Sequence, residues 1–146
     1  MVLFGEYRNR VDEQGRIVVP AKIRDLLRPE ADSPVYVTRG IEQCLYIFSR
    51  DVWESQSERL KSLPFTKGDP RAFTRLFFSG AAQSKVDRQG RILVPAHLLQ
   101  YAGIRGSTVL VGVGTRVEIW DEARWDEYFT RSLPTFGELA EKLIDL

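Results

Sequence analysis

A chain of 146 residues, 43% apolar and 28% charged, has the composition of a folded globular protein, not of a disordered tail. No run approaches the ~20 apolar residues that span a bilayer, and the opening MVLFGEYRNR has neither the apolar region nor the cleavage site of a signal peptide. The single cysteine, Cys44, excludes an internal disulfide and sits in an apolar run, so a buried thiol and a cytosolic protein are expected; the net charge of +1 by itself says nothing about nucleic acid.

Residues 1–11 lead in as a strand. Arg8 and Arg10 alternate with Tyr7, Asn9 and Val11, which puts both arginines on one strand face. The stretch VDEQGRIVVPA follows, from Val11 to Ala21. It returns 75 residues later as VDRQGRILVPA, from Val86 to Ala96, with nine of eleven positions identical, the mark of an internal duplication. Only Glu13/Arg88 and Val18/Leu93 differ. In each copy Asp-x-x-Gly is turn chemistry: Asp12 and Asp87 can bond back to the backbone, and Gly15 and Gly90 accept a positive φ. Arg16 to Val19 is a β-branched strand, and Pro20 suits the start of a helix. The motif is therefore strand, tight turn, strand, helix start, with Arg16 and Arg91 near a hairpin tip.

In the helix after Pro20, Ile23, Leu26 and Leu27 have helical spacing, with Lys22 and Arg24 on the outer side and Pro29 as its stop. Hairpins are expected at 35–39 with 44–49, and at 108–113 with 116–120. In the second copy the leading strand is 81–86, with Gln83 and Lys85 in place of Arg8 and Arg10; His97 replaces Lys22, and Gly103 is a C-terminal cap. Helices are expected at 50–63, 71–79, 121–132 and 136–146, the last carrying Phe136, Leu139, Leu143 and Ile144. Trp53 and Trp125 correspond if the second copy is three residues shorter between motif and helix. Their helical spacing with Leu and Val favours packing over base stacking. The expected division is a first module at 5–48, connecting helices at 49–76, a second module at 77–120 and terminal helices at 121–146.

Charge is unevenly placed. Residues 1–28 carry net +2 and residues 71–99 net +4, whereas 29–70 carry −2 and 121–146 carry −4. The motifs hold the cations and the segments after them are acidic, which raises a local field where the total is near zero. Enzyme chemistry finds little support. One His and one Cys cannot make the usual zinc set, no carboxylate spacing resembles a calcium loop, and Gly112-x-Gly114 fits a hairpin turn better than a phosphate loop. No catalytic residue, metal or cofactor is expected. Two readings of the repeated arginines remain: DNA binding, since arginine is the side chain best matched to guanine O6 and N7 and to phosphate, and an oligomeric scaffold, in which Asp12/Arg16 and Asp87/Arg91 are only turn salt bridges.

With both motifs in view, the chain resembles the MraZ family, whose repeated unit is the AbrB/SpoVT type of swapped-hairpin module. The resemblance covers essentially the whole length. The family signature Asp-x-x-x-Arg stands at Asp12 to Arg16 and again at Asp87 to Arg91. It implies an α+β fold: an internally duplicated swapped-hairpin β-barrel, an AbrB-like pseudo-dimer, with flanking helices. It implies a bacterial transcriptional regulator of the division and cell-wall gene cluster, bound to double-stranded promoter DNA as a homo-oligomeric ring in the cytoplasm and nucleoid. Arg16 and Arg91 carry over as DNA contacts. Arg8, Arg10, Lys22 and Arg24 match contact regions more loosely, with Lys85 and Arg88 in the second copy.

Overall fold

The computed structural model describes residues 1–143. The first copy runs β1 (Leu3–Arg10), β2 (Arg16–Val18), α1 (Ala21–Leu27), β3 (Val35–Arg39) and β4 (Leu45–Phe48). Helices α2 (Arg50–Lys61) and α3 (Gly68–Gly80) connect it to the second copy: β5 (Ala82–Ser84), β6 (Arg91–Leu93), α4 (Ala96–Ala102), β7 (Ser107–Gly114) and β8 (Val117–Asp121). Helix α5 (Glu122–Ser132), a 3-10 turn and α6 (Phe136–Leu143) follow. The expected Ile144 end of α6 lies outside the described residues.

Both β3–β4 and β7–β8 form the hairpins their alternation predicts. The leading strands do something that the local pattern does not announce. β1 runs antiparallel to β7 of the other copy, from Leu3 opposite Gly114 to Arg10 opposite Ser107, and β5 likewise joins β3. β2 pairs with β6 around Ile17 opposite Ile92, and β4 pairs with β8 around Tyr46 opposite Glu118. Equivalent positions face each other in both ladders, so a pseudo-twofold axis passes through them. The β4–β8 register aligns the copies at an offset of 72, three fewer than the motifs, as the Trp53/Trp125 match requires.

Two expectations are corrected. β1 and β2 do not fold back on each other as a ladder: β2 spends its pairing on β6, and the bonds Val19 N–H to Gly90 O and Val94 N–H to Gly15 O, both 2.8 Å, extend that ribbon across the copies. The larger sheet does not close into a barrel. Its order is β1-β7-β8-β4-β3-β5, with edges at β1 and β5, while β2 and β6 form a separate ribbon. β5 pairs over only three positions with β3, too short to carry the sheet round.

The core follows the axis. Ile17, Val19, Ile23 and Leu27 of the first copy interlock with Ile92, Val94, Leu98 and Ala102 of the second in one buried cluster. Each copy contributes strands to the other, so neither owns a complete core. Pro20 starts α1 through its carbonyl, which accepts the Arg24 N–H at 2.8 Å, and Gly103 ends α4 with φ +66°, the left-handed cap that glycine allows. Ser49 Oγ caps α2 and an Asp121 carboxylate oxygen caps α5. Trp53 stacks on Tyr36 at 5.1 Å and on Phe77 at 5.7 Å, and Trp125 meets Trp120 edge-on at 5.5 Å. These aromatics fasten helices to the sheet. Cys44 is buried, and burial pushes its thiol well above its ordinary range.

Candidate nucleic-acid interface

The two motif turns are built alike, atom for atom. Asp12 Oδ1 accepts the backbone N–H of Gln14 and of Arg16, both at 2.9 Å, and Asp12 Oδ2 accepts Arg16 Nε at 3.0 Å. Asp87 does the same for Gln89 and Arg91, at 2.9, 2.8 and 2.8 Å. Gly15 at φ +85° and Gly90 at φ +77° turn the chain where a Cβ would be strained. The backbone amide of the motif arginine, followed by its guanidinium, holds each aspartate below the usual carboxylate range against a partial loss of hydration. Each arginine is thus clamped at Nε, which leaves its two terminal nitrogens as the outer donors. Nη2 of Arg16 leans on Gln14 Oε1 at 2.6 Å, and Nη2 of Arg91 on Gln89 Oε1 at 3.4 Å.

Alternation along the β2–β6 ribbon decides which groups look out. Ile17 and Ile92 point to the core with no exposure, so Arg16, Val18, Arg91 and Leu93 take the outer face. Across the ladder Arg16 stands opposite Leu93 and Val18 opposite Arg91. The result is a two-by-two array of cation and apolar side chain, with Val18 39% and Leu93 53% exposed. Val18 and Leu93 were not among the sequence candidates. Their signal was the arginine-apolar-apolar order of the strand, which forces the third residue outward with the first.

The remaining candidates divide. Arg24 reaches from α1 across the axis to the second turn, donating from Nη1 to Val19 O at 3.2 Å; that nitrogen fills the place where a Cβ on Gly90 would stand. Arg88 is exposed at the tip of the second turn, and Lys85 and Arg10 flank the entries to the two turns. Arg10 donates to Ser107 Oγ at 2.9 Å. Lys22 is exposed on α1. Arg8 is drawn elsewhere: Glu6 at 2.8 Å, Asp126 at 2.9 Å and Glu122 at 3.4 Å surround it, and those carboxylates, Asp126 first, raise its pKa. His97, in the place of Lys22, meets Gly80 O at 3.0 Å. Among the described residues no group of three or more His, Cys, Asp or Glu comes together to hold a metal ion.

A family model described as "MraZ protein, putative antitoxin-like" matches residues 2–76 and again 77–145. The chain belongs to the MraZ family. Proteins called transcriptional regulator MraZ are similar to it over nearly their full length. The one from Heliobacterium modesticaldum is 44% identical over 144 residues, 99% of this chain and 98% of that protein. The one from Desulforamulus reducens is 44% identical over 145 residues, 99% of each chain, and that from Moorella thermoacetica is 42% identical over 144 residues, 99% and 98%. The two MraZ matches meet at residue 76, inside α3, so the boundary between repeats falls in a helix while the strand ladders cross it. Among the described residues of this MraZ family member, no helix is long and apolar enough to cross a membrane.

Proposed function

We propose that this chain is a sequence-specific DNA-binding transcriptional regulator of the division and cell-wall gene cluster. It acts in the cytoplasm, at the nucleoid, on repeated boxes in the promoter upstream of its own operon, and it binds them as a homo-oligomeric ring. The observation that carries this reading is the outer face of the β2–β6 ribbon. The major groove admits a two-stranded ribbon, an arginine can pair both terminal nitrogens with guanine O6 and N7, and small apolar groups suit the thymine methyl. Arg16 and Arg91 supply the first kind of contact and Val18 and Leu93 the second. The aspartate clamps pre-organise the guanidinium planes, which reduces the ordering cost of binding. Lys22, Lys85, Arg10, Arg24 and Arg88 surround the ribbon as phosphate contacts; Arg8 serves only where DNA displaces its carboxylates. The functional division is into modules 5–48 and 77–120, with 49–76 and 121–146 as helical connectors and ends.

Self-association is supported by apolar surface left open on the single chain. Phe136 is 71%, Leu139 46% and Leu143 80% exposed along one face of α6, and a groove of about 370 Å³ is lined by Ile41, Phe73, Leu76 and Tyr101. One ribbon makes few contacts, so several ribbons on repeated boxes gain through effective concentration.

Binding of the full chain to its own upstream DNA and to a scrambled duplex tests the proposal. The expected result is preference for the native duplex, with affinity falling by ~0.9 log unit per log unit of salt for each phosphate neutralised. Equal, salt-independent binding to both would overturn it.

A further inference from the structure

The pseudo-twofold axis makes the backbones of the two turns equivalent, but their charges are not. Residues 12–16 hold Asp12, Glu13 and Arg16 and carry net −1; residues 87–91 hold Asp87, Arg88 and Arg91 and carry net +1. Packing across the axis widens the gap. The helix residue laid over the second turn is Arg24, whose guanidinium occupies the space that Gly90 leaves empty. Its counterpart over the first turn is Leu99, with Cδ1 3.5 Å from where a Cβ on Gly15 would stand. Arg91 also leans toward the first turn, with Nη1 4.0 Å from Asp12 Oδ2. The ribbon is thus symmetric in shape and polar in charge: one end gathers Arg24 and Arg88, with Arg91 starting there and reaching toward Asp12, whereas the other exposes Glu13 and has Leu99 against Gly15.

We infer that the second turn, completed by Arg24 from the first copy, is the phosphate anchor of this interface, and that the first turn lies against DNA with little phosphate contact. This rests on the DNA-binding reading and adds a direction to it. Two like half-sites are contacted unequally, and each chain sits on its box in one orientation. Gly90 has a second role here, since any side chain at that position would expel the Arg24 guanidinium from the anchor.

The test is the salt dependence of binding to the upstream duplex and to a scrambled one, for the full chain and three variants. Arg24→Leu installs the residue the second copy already uses, Arg88→Glu reverses the second tip, and Glu13→Arg converts the first tip to the second type. Arg24→Leu and Arg88→Glu should weaken binding to both duplexes alike and flatten the log–log salt slope, by ~0.9 for each phosphate that is no longer neutralised. Glu13→Arg lies at an exposed tip where folding is not at stake, and it should tighten binding and steepen the slope by about the same amount. Native binding and slope in all three variants, with binding still abolished in Arg16→Ala/Arg91→Ala, would overturn the anchor and leave the DNA-binding reading standing. No binding by the unaltered chain would overturn both.

Discussion

The turn aspartates do two jobs with one carboxylate, ordering the backbone of the turn and aiming the arginine. Both are held below the ordinary carboxylate range, so both contribute stability above a pH of about 4, where the free carboxyl ionises. That contribution is lost as pH falls through the depressed folded values. Thermal unfolding followed from pH 7 down to 3 should show a midpoint that falls as pH drops through about 4 and below, and the drop should shrink in Asp12→Asn/Asp87→Asn. Gly15 is a second sensitive position. A Cβ there meets Val94 O at 2.9 Å with φ at +85°, so Gly15→Ala should destabilise by more than about 1 kcal/mol from the left-handed backbone alone. A chemical-denaturation midpoint equal to that of the native chain would contradict this.

At the scale of elements, the copies are interlocked and not merely adjacent. Ile17 and Ile92 meet at the axis with no exposure, and truncating either to Ala should cost about 2–5 kcal/mol. Because β1 completes the second copy's sheet and β5 the first copy's, neither half should fold as a monomer. Fragments 1–66 and 67–146 should each sediment as a dimer or remain unfolded, and mixing them should restore the native circular dichroism; a folded monomeric half would contradict the strand exchange. Much of this architecture was legible from local chemistry. β3, the two hairpins, the helix starts after Pro20 and Pro95 and the Gly103 cap all follow from alternation, proline and glycine. The exchange of β1 was not. Asp12 to Arg16 encodes a tight turn, and a turn between two strands looks like a hairpin until burial elsewhere claims one of them. The site divides the same way. Arg16 and Arg91 are visible as a repeated motif, whereas Arg24 over Gly90 joins residues far apart in sequence, and two of the three carboxylates around Arg8, Glu122 and Asp126, come from α5 at the other end of the chain. No local pattern announces either.

The whole molecule presents a small basic ribbon and uncovered apolar side chains on α6. The proposed ring would account for both by covering α6 and multiplying the ribbon. Light scattering on the full chain should give a mass several times 16.7 kDa, and Leu139→Asp, on the open face of α6, should lower it while leaving the unfolding of the chain little changed. A monomer in both cases would remove the ring. The most direct measurement of the central claim is binding of Arg16→Ala/Arg91→Ala to the chain's own upstream DNA, beside the native protein and a scrambled duplex. Loss of preference for the upstream sequence with assembly size retained and the chain still folded is the predicted result, because the clamped guanidiniums are then the readers. Undiminished preference would leave the repeated motif a fold signature, and a scaffold would become the better description.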